Sequence, residues 1–169
     1  MTFFAEPGHR LHVEARDRDA ALVRELYHGL ARFAAVIAPP DIEPDDLVQE
    51  ALARALRSRP LSEYEDPGAY LRRTMLNLAA NERRSSGRYR RALVRLTGTR
   101  EQAVPCYPSD LALLQSLSPD VRAVLYLAEV ECWTFSEIAT LLGCTETAAR
   151  ARASRGRRCL RSVLESNDG

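Results

Sequence analysis

Lysine is absent from this 169-residue chain, and all 24 of its basic residues are arginine. The planar guanidinium of arginine donates two parallel hydrogen bonds, which suits phosphate groups and guanine edges. Such an absence is also typical of a GC-rich genome, so it says little about function. The chain also lacks an apolar run of membrane-spanning length, and its charged first 18 residues hold no secretory apolar segment. We therefore expect a cytoplasmic protein with no membrane insertion.

Cysteine and histidine are too few and too widely spaced for a metal site or a catalytic pair. No C-x-x-C pair occurs among the four cysteines and three histidines, which are Cys106, Cys132, Cys144, Cys159, His9, His12 and His28. Zinc sites need closer ligand spacing. The chain also contains no glycine-rich phosphate loop, no HExxH and no GxSxG motif. We predict no metal, no cofactor and no enzymatic activity, and we expect reduced thiols.

Positive charge is concentrated in two separate segments, although the net charge is only +1. Residues 71–100 hold nine arginines and one acidic residue, and residues 150–161 hold six arginines and no acidic residue. Between them, residues 101–149 hold seven acidic residues and one arginine. Two basic patches divided by an acidic stretch predict two contacts on one polyanion, with acidic surface left for a protein partner.

Apolar residues recur at spacings of three and four almost throughout, which predicts an all-α fold. We expect helices over residues 19–37, 45–58 and 67 to about 84 or beyond. Prolines end the first helix, and Pro67 suits the first turn of the third. The expected core positions of these helices are Leu22, Leu26, Leu30, Phe33, Ile37, Leu47, Val48, Ala51, Leu52, Ala55, Leu71, Met75 and Leu78.

Residues 97–110 lack periodicity and contain two prolines and a glycine, as expected of a linker. We therefore predict two small helical domains, residues 1–96 and 111–169, joined by a flexible linker over 97–110. The second domain is predicted to contain a short helix around 110–117 and a helix from Ser118-Pro119 to about Glu129.

A helix-turn-helix is predicted at the C-terminal end of the chain. Thr134 and Glu137 form a capping box, Gly143 ends the first helix, and a basic helix begins near Glu146. Its buried stripe is predicted to be Ala149, Ala153, Gly156, Leu160 and Leu164. The outward face would present Thr147, Arg150, Arg152, Ser154, Arg155 and Arg158 to the major groove of DNA. The alternative is a solvated basic face on an ordinary helix.

The third helix carries a second polar face, formed by Arg73, Asn77, Asn81, Arg84 and Arg88. Asparagine amides can read base edges, arginines can hold the backbone, and Tyr70 or Tyr89 could stack on a base. The alternative is a solvated face with Asn77 hydrogen-bonded internally. The residues alone leave these two interpretations equally open.

Several of these stretches resemble bacterial sigma factors. We find a resemblance to region 2 in Asp45-Asp46-Leu47-Val48-Gln49-Glu50, Ala69-Tyr70-Leu71 and Asn77-Leu78-Ala79. A resemblance to region 4 lies in Arg122 to Leu127, Phe135-Ser136-Glu137-Ile138-Ala139, Leu142-Gly143 and Arg152-Ala153-Ser154-Arg155-Gly156-Arg157. The order and spacing are similar to the extracytoplasmic-function (ECF) group of the sigma-70 family, over about residues 19–165.

The resemblance implies an initiation factor that recruits core RNA polymerase to promoter DNA. It assigns Asp46, Gln49 and Glu50 to the β′ clamp helices of the polymerase, and it makes the β flap a second polymerase contact. Asn77 and Asn81 match the positions that capture an unpaired base of the minus-ten element. Arg150, Arg152, Ser154 and Arg155 match the helix that reads the minus-thirty-five element as duplex. The linker would run through the polymerase channels, and members are commonly held inactive by an anti-sigma factor.

The chain departs from the family pattern in three places, which leaves promoter preference open. Ala148 and Ala149 stand where the family usually has threonine and valine, and Tyr70 stands where many members have tryptophan. Ser85-Ser86-Gly87 has low helix propensity, which leaves open whether the basic third helix continues beyond Arg84. The competing hypothesis is a stand-alone helix-turn-helix regulator, which would normally dimerise on a palindrome.

Overall fold

A computed structural model describes the backbone of residues 7–97, 114 and 116–167, and the side chains of most of them from Arg16 onward. The described backbone holds six α-helices, one 3₁₀ turn and no strand, which confirms the all-α prediction. No helix in these residues is both long and apolar enough to span a membrane. The predicted linker over 97–110 lies outside the described residues, except for Thr97.

Helix α1 spans Pro7–Ile37 and therefore begins twelve residues before the predicted start at residue 19. It ends at Ile37 because Pro39 and Pro40 follow, and proline lacks the amide hydrogen that would continue the helix. Leu30, Phe33 and Ile37 are fully buried as predicted, whereas Leu22 and Leu26 are half-buried.

Helix α2 spans Pro44–Ser58, with proline in its first turn and Asp45 and Asp46 at its positive end. Its buried residues are Leu47, Val48, Ala51 and Ala55, while Leu52 is only half-buried. A 3₁₀ turn over Leu61–Glu63 then leads to helix α3 at Pro67. The short connection holds α3 beside α1 and α2.

Helix α3 spans Pro67–Thr97 without a break, so it continues beyond Arg84 and through Ser85-Ser86-Gly87. Serine and glycine lower helix propensity by at most about 1 kcal/mol each, which the surrounding arginine, alanine and leucine residues can offset. No proline stands in this part of the chain. The basic segment is therefore one continuous helix.

The C-terminal segment folds into three helices, α4 (Pro119–Glu129), α5 (Phe135–Leu142) and α6 (Glu146–Asn167). Ser118 precedes α4 as predicted, but its side chain accepts no capping hydrogen bond. The predicted capping box of α5 is confirmed, as is the left-handed Gly143 with φ of 61°.

The two halves of the chain, residues 7–97 and 116–167, pack against each other. Helix α4 lies against α1 and α3, and α5 contacts α3. Phe33 of α1 and Tyr126 of α4 bring their ring centroids within 6.1 Å. The buried side chains of both halves belong to one hydrophobic cluster. The sequence predicts two domains joined by a linker, and nothing in it signals this shared core.

Candidate nucleic-acid interface

The helix-turn-helix is fixed by local hydrogen bonds and by close packing. The amide of Glu137 donates to Thr134 Oγ1 at 3.3 Å, and the amide of Thr134 donates to Glu137 Oε2 at 2.8 Å. At the start of α6, the amide of Ala148 donates to the hydroxyl of Thr145 at 3.2 Å. These caps satisfy amides that a helix N-terminus leaves free, so both helices start at defined residues.

Glycine brings α6 unusually close to α4. A Cβ atom at Gly156 would lie 2.7 Å from Val121 Cγ1 and 2.8 Å from Leu125 Cδ1. Ala149 and Ala153 are fully buried on the same stripe, as predicted. Small residues therefore set the distance between these helices and hold the opposite face of α6 toward solvent.

The outward face of α6 carries two kinds of side chain: available ones, which make no ion pair with a described residue, and engaged ones, which already do. Thr147, Ser154, Arg155 and Arg158 are exposed, and neither of these arginines makes an ion pair with any described residue. Arg150 is exposed too, but its Nη2 lies 2.6 Å from Glu146 Oε1. Its guanidinium also lies 4.9 Å from the ring centroid of Phe135.

Two further arginines of α6 are less available for contact with DNA. Arg152 is half-buried, and its Nη1 is buried without a hydrogen-bond partner among the described residues. Arg157, which the sequence analysis did not select, donates to Glu129 Oε1 at 2.8 Å. The basic face is thus narrower than the arginine count suggests.

The polar face of α3 is fully open over its described part. Arg73, Asn77, Asn81 and Arg84 are all exposed. Arg84 Nη2 donates to Asn81 Oδ1 at 2.6 Å, and the Asn77 amide makes no hydrogen bond within the described part of the chain. The alternative in which the Asn77 side chain is hydrogen-bonded within the protein is therefore wrong for the described residues. The side chains of Arg88 and Tyr89 lie outside the described residues.

An aromatic pair lies at the start of α3. The ring centroids of Tyr64 and Tyr70 are 4.3 Å apart, and the Arg59 guanidinium lies 4.0 Å from the Tyr64 centroid. Tyr64 is buried and donates to the carbonyl oxygen of Ala55 at 3.1 Å. Tyr70 remains 37% exposed and offers a ring surface for stacking. Tyr70 was predicted from the sequence, whereas Tyr64 and Arg59 were not, because they lie in a connection without periodicity.

The residues predicted to bind polymerase lie together on α2. Asp46 and Gln49 are exposed, and Glu50 is half-buried. Arg54 Nε donates to Glu50 Oε1 at 2.6 Å, which is the main reason the pKa of Glu50 lies below its usual value. Leu47 and Val48 are buried, as expected. Helix α2 therefore presents a polar and acidic edge to solvent.

A buried arginine joins the two halves of the chain. Arg122 of α4 is only 4% exposed, and its Nη1 and Nη2 donate to the carbonyl oxygens of Ala38 and Ile37 at 3.1 and 2.8 Å. Burial lowers the pKa of Arg122 to about 10, and the nearby charge of Arg83 adds to this effect. The guanidinium still carries its charge at neutral pH. It lies at the C-terminal end of α1, where helix dipoles favour a cation.

A second arginine connects α3 to the loop between α4 and α5. Arg72 Nη2 lies 3.4 Å from Glu131 Oε2, and both side chains are 15% exposed. The Arg72 guanidinium lies 5.3 Å from the ring centroid of Trp133 and 5.9 Å from that of Phe33. Neither Arg72 nor Arg122 is among the site residues predicted from the sequence. An arginine among apolar neighbours, as in Val121-Arg122-Ala123-Val124, was the available signal.

Sequence comparison divides the chain at the same place. It matches Sigma-70 region 2 over residues 22–89 and Sigma-70, region 4 over residues 111–160. It is 35% identical over 131 residues to the RNA polymerase sigma factor CarQ of Myxococcus xanthus, covering 71% of this chain and 74% of CarQ. It is 30% identical over 157 residues to the ECF RNA polymerase sigma factor SigE of Mycolicibacterium smegmatis, covering 85% of this chain and 60% of SigE.

Two solved structures share the fold. RpoE of Bartonella quintana, solved with the anti-sigma factor NepR, matches with a TM-score of 0.67 and 22% identity over 86% of this chain and 96% of RpoE. CnrH, solved with the cytosolic domain of CnrY, matches with a TM-score of 0.58 and 27% identity over 89% of this chain and 90% of CnrH. Both similarities extend across the two halves of the chain.

Proposed function

The chain belongs to the ECF group of the sigma-70 family and is an RNA polymerase sigma factor, and on that premise we propose that α3 and α6 read the two elements of its promoter. Helix α3 would capture the minus-ten element after strand separation. Helix α6 would read the minus-thirty-five element as duplex. The observation that carries this proposal is the pair of solvent-facing polar surfaces on these two helices.

On α6, the contact set is Thr147, Arg150, Arg152, Ser154, Arg155 and Arg158. Arg155 and Arg158 are exposed without an ion pair among the described residues, so either can reach a guanine edge or a phosphate. Arg150 can exchange Glu146 for a phosphate, because an exposed ion pair is worth at most about 1 kcal/mol. Arg152 has less freedom, since it is half-buried.

On α3, the contact set is Arg73, Asn77, Asn81, Arg84 and Arg88. The free Asn77 amide can hydrogen-bond the edge of an unpaired base, and the exposed ring of Tyr70 can stack on it. Stacking on an aromatic ring is worth about 1–3 kcal/mol per base. That is comparable to the few kcal/mol needed to remove a base from the duplex.

The polymerase contacts are proposed from α2 and from the C-terminal half. Asp46, Gln49 and Glu50 would dock on the β′ clamp helices, and the β flap would hold the C-terminal half. The chain would act by binding alone, with RNA synthesis left to the polymerase in the bacterial cytoplasm. An anti-sigma factor is a further proposed partner. This proposal is supported by the structures of RpoE, solved with the anti-sigma factor NepR, and of CnrH, solved with the cytosolic domain of CnrY.

Transcription in vitro tests this function. Purified chain and core polymerase should co-elute in gel filtration and should start transcripts at discrete sites on a library of promoter fragments. A stand-alone regulator would neither co-elute with the polymerase nor define start sites. The family membership does not favour that alternative, and failure of both assays would overturn the proposal.

A further inference from the structure

An aspartate on α1 is buried and bound to the segment that connects α2 to α3. Asp19 is only 9% exposed, and its Oδ1 accepts a hydrogen bond from the amide of Ser62 at 3.0 Å, across 43 residues of the chain. The match to Sigma-70 region 2 begins three residues later, at residue 22. Asp19 therefore precedes the residues that the family pattern covers, so its role has to be inferred from its contacts.

The carboxylate of Asp19 takes the place of a helix cap. Pro60 precedes the 3₁₀ turn over Leu61–Glu63, and its side chain makes no capping hydrogen bond. The first amides of a helical turn need an acceptor from elsewhere, because they have no partner within the turn. Asp19 supplies this acceptor from α1, and Leu61 at the start of the turn is fully buried. The turn is therefore fixed against α1.

The same 3₁₀ turn sets the position of the aromatic pair formed by Tyr64 and Tyr70. The amide of Tyr64 donates to the carbonyl oxygen of Leu61 at 3.2 Å, so the position of Tyr64 follows that of the turn. The centroid of the Tyr64 ring lies 4.3 Å from that of Tyr70, whose exposed surface is the proposed stacking site for an unpaired base. Displacement of the turn would therefore move the ring against which Tyr70 packs.

We propose that Asp19 is a positioning residue for promoter opening, which fixes the 3₁₀ turn and, through Tyr64, the ring of Tyr70 that receives an unpaired base of the minus-ten element. The inference rests on the function proposed above. A ring that has to be ordered when the base binds loses part of the free energy that stacking supplies, so a ring held in one orientation beforehand stacks more strongly. A buried aspartate can provide this order without touching DNA.

Promoter opening by the holoenzyme tests the role of Asp19. Asp19→Ala removes the acceptor of the Ser62 amide, and we expect permanganate reactivity of the minus-ten element to fall about fivefold, as for the loss of one hydrogen bond. Asp19→Asn keeps an oxygen that can accept the same hydrogen bond, so opening should stay within about twofold of the wild type. The matched control, Asp17→Ala, removes the same charge at an exposed position of α1 and should leave opening unchanged.

A double-mutant cycle with Tyr70 separates positioning from stability. If Asp19 acts through the ring of Tyr70, Asp19→Ala should have almost no further effect on opening in a Tyr70→Ala background. If Asp19 only stabilises the fold, the two losses should multiply, and that outcome would overturn the proposal. A single-stranded minus-ten oligonucleotide carrying 2-aminopurine reports stacking directly, and Asp19→Ala should reduce the quenching that stacking on Tyr70 causes.

Circular dichroism shows whether the variants fold. If Asp19→Ala loses helicity, Asp19→Leu, which has the same branched shape without an acceptor, takes its place in the cycle. Loss of helicity in both would assign Asp19 to stability alone and contradict the proposal. Normal opening in a folded variant without the acceptor, or an Asp19→Asn variant as defective as Asp19→Ala, would also contradict it. Normal opening by Tyr70→Ala would instead refute the stacking role that belongs to the proposed function.

Discussion

Helices α3 and α6 carry the same sequence signal, a row of arginines on one face, yet the structure uses the two rows differently. On α3 the described outward residues are open, and the only hydrogen bond among them joins Arg84 to Asn81. On α6, Arg150 and Arg157 already hold carboxylates, and Arg152 is half-buried. A count of arginines therefore overstates the cationic surface that α6 can offer to DNA.

The difference also concerns the type of contact. The open face of α3 combines amides with arginines, which suits the edge of a separated base. On α6 at least one ion pair within the protein must break before its arginine can contact a phosphate. This lowers the net free energy of DNA binding through α6. We expect α3 to govern promoter opening and α6 to govern duplex affinity.

The largest effect is expected for Asn77→Ala. Asn77 carries the only side-chain amide on α3 that makes no hydrogen bond among the described residues. Its loss should reduce promoter opening roughly tenfold, as expected for one lost base contact. Permanganate footprinting of the minus-ten element measures opening, and binding to a minus-thirty-five duplex should be retained. Normal opening in this variant would remove the proposed distinction between α3 and α6. Arg24→Ala serves as the control.

Arg155→Ala should give the next largest effect. This exposed arginine has no ion pair among the described residues, so its removal should weaken binding to the minus-thirty-five duplex about fivefold, or by about 1 kcal/mol, the lower end of the range for a lost base contact. Fluorescence anisotropy of holoenzyme with labelled duplex at fixed salt measures this change. Sequence preference at one base pair should relax as well. A uniform loss on all sequences would instead assign Arg155 to phosphate contact.

Arg150→Ala should have a smaller effect than Arg155→Ala, about threefold or less. Arg150 must break its ion pair with Glu146 in order to contact DNA, so its net contribution to the binding free energy is small. The same anisotropy assay on Glu146→Gln, which frees Arg150, should show slightly tighter binding. If Arg150→Ala were as damaging as Arg155→Ala, the division of α6 into engaged and available arginines would be wrong.

The smallest expected effect is on stability. Thr134→Ala removes the exposed cap of α5 and should lower the free energy of unfolding by about 0.5 kcal/mol, the lower end of the range for helix caps, as measured by thermal unfolding. Hydrogen bonds from the Thr134 hydroxyl and backbone hold the pKa of Glu137 below its usual value. The stabilisation from ionised Glu137 is therefore present above the ordinary glutamate pKa of about 4.3 and is lost as the pH falls through its depressed pKa. The difference in the free energy of unfolding between wild type and Thr134→Ala should therefore shrink in acid. A difference that stays constant with pH would contradict the proposed role of the cap.

Local signals predicted most of the fold. Pro44 and Pro67 lie in first turns, Thr134 with Glu137 caps α5, and Gly143 adopts the left-handed conformation. These features depend on residues within one turn of each other, so the sequence displays them. The sequence left open whether α3 continues through Ser85-Ser86-Gly87, and the helix is unbroken there because differences in helix propensity are small beside a continuous helical context.

The contacts between the halves could not be predicted in this way. Arg122 bonds carbonyl groups 84 and 85 residues away in the chain, and Arg72 pairs with Glu131 across 59 residues. Neither spacing leaves a periodic mark in the sequence. The Arg150–Glu146 ion pair, in contrast, has the i, i+4 spacing of a helical contact and was visible in the sequence.

The unbroken course of α3 has a mechanical consequence. Thr97 lies sixteen residues after Asn81, so the helix extends about 24 Å beyond Asn81. Each residue added to a helix rotates the downstream chain by about 100° around the helix axis. Inserting one alanine between residues 86 and 96 would thus rotate the direction in which the chain leaves Thr97 by more than a quarter turn about the helix axis.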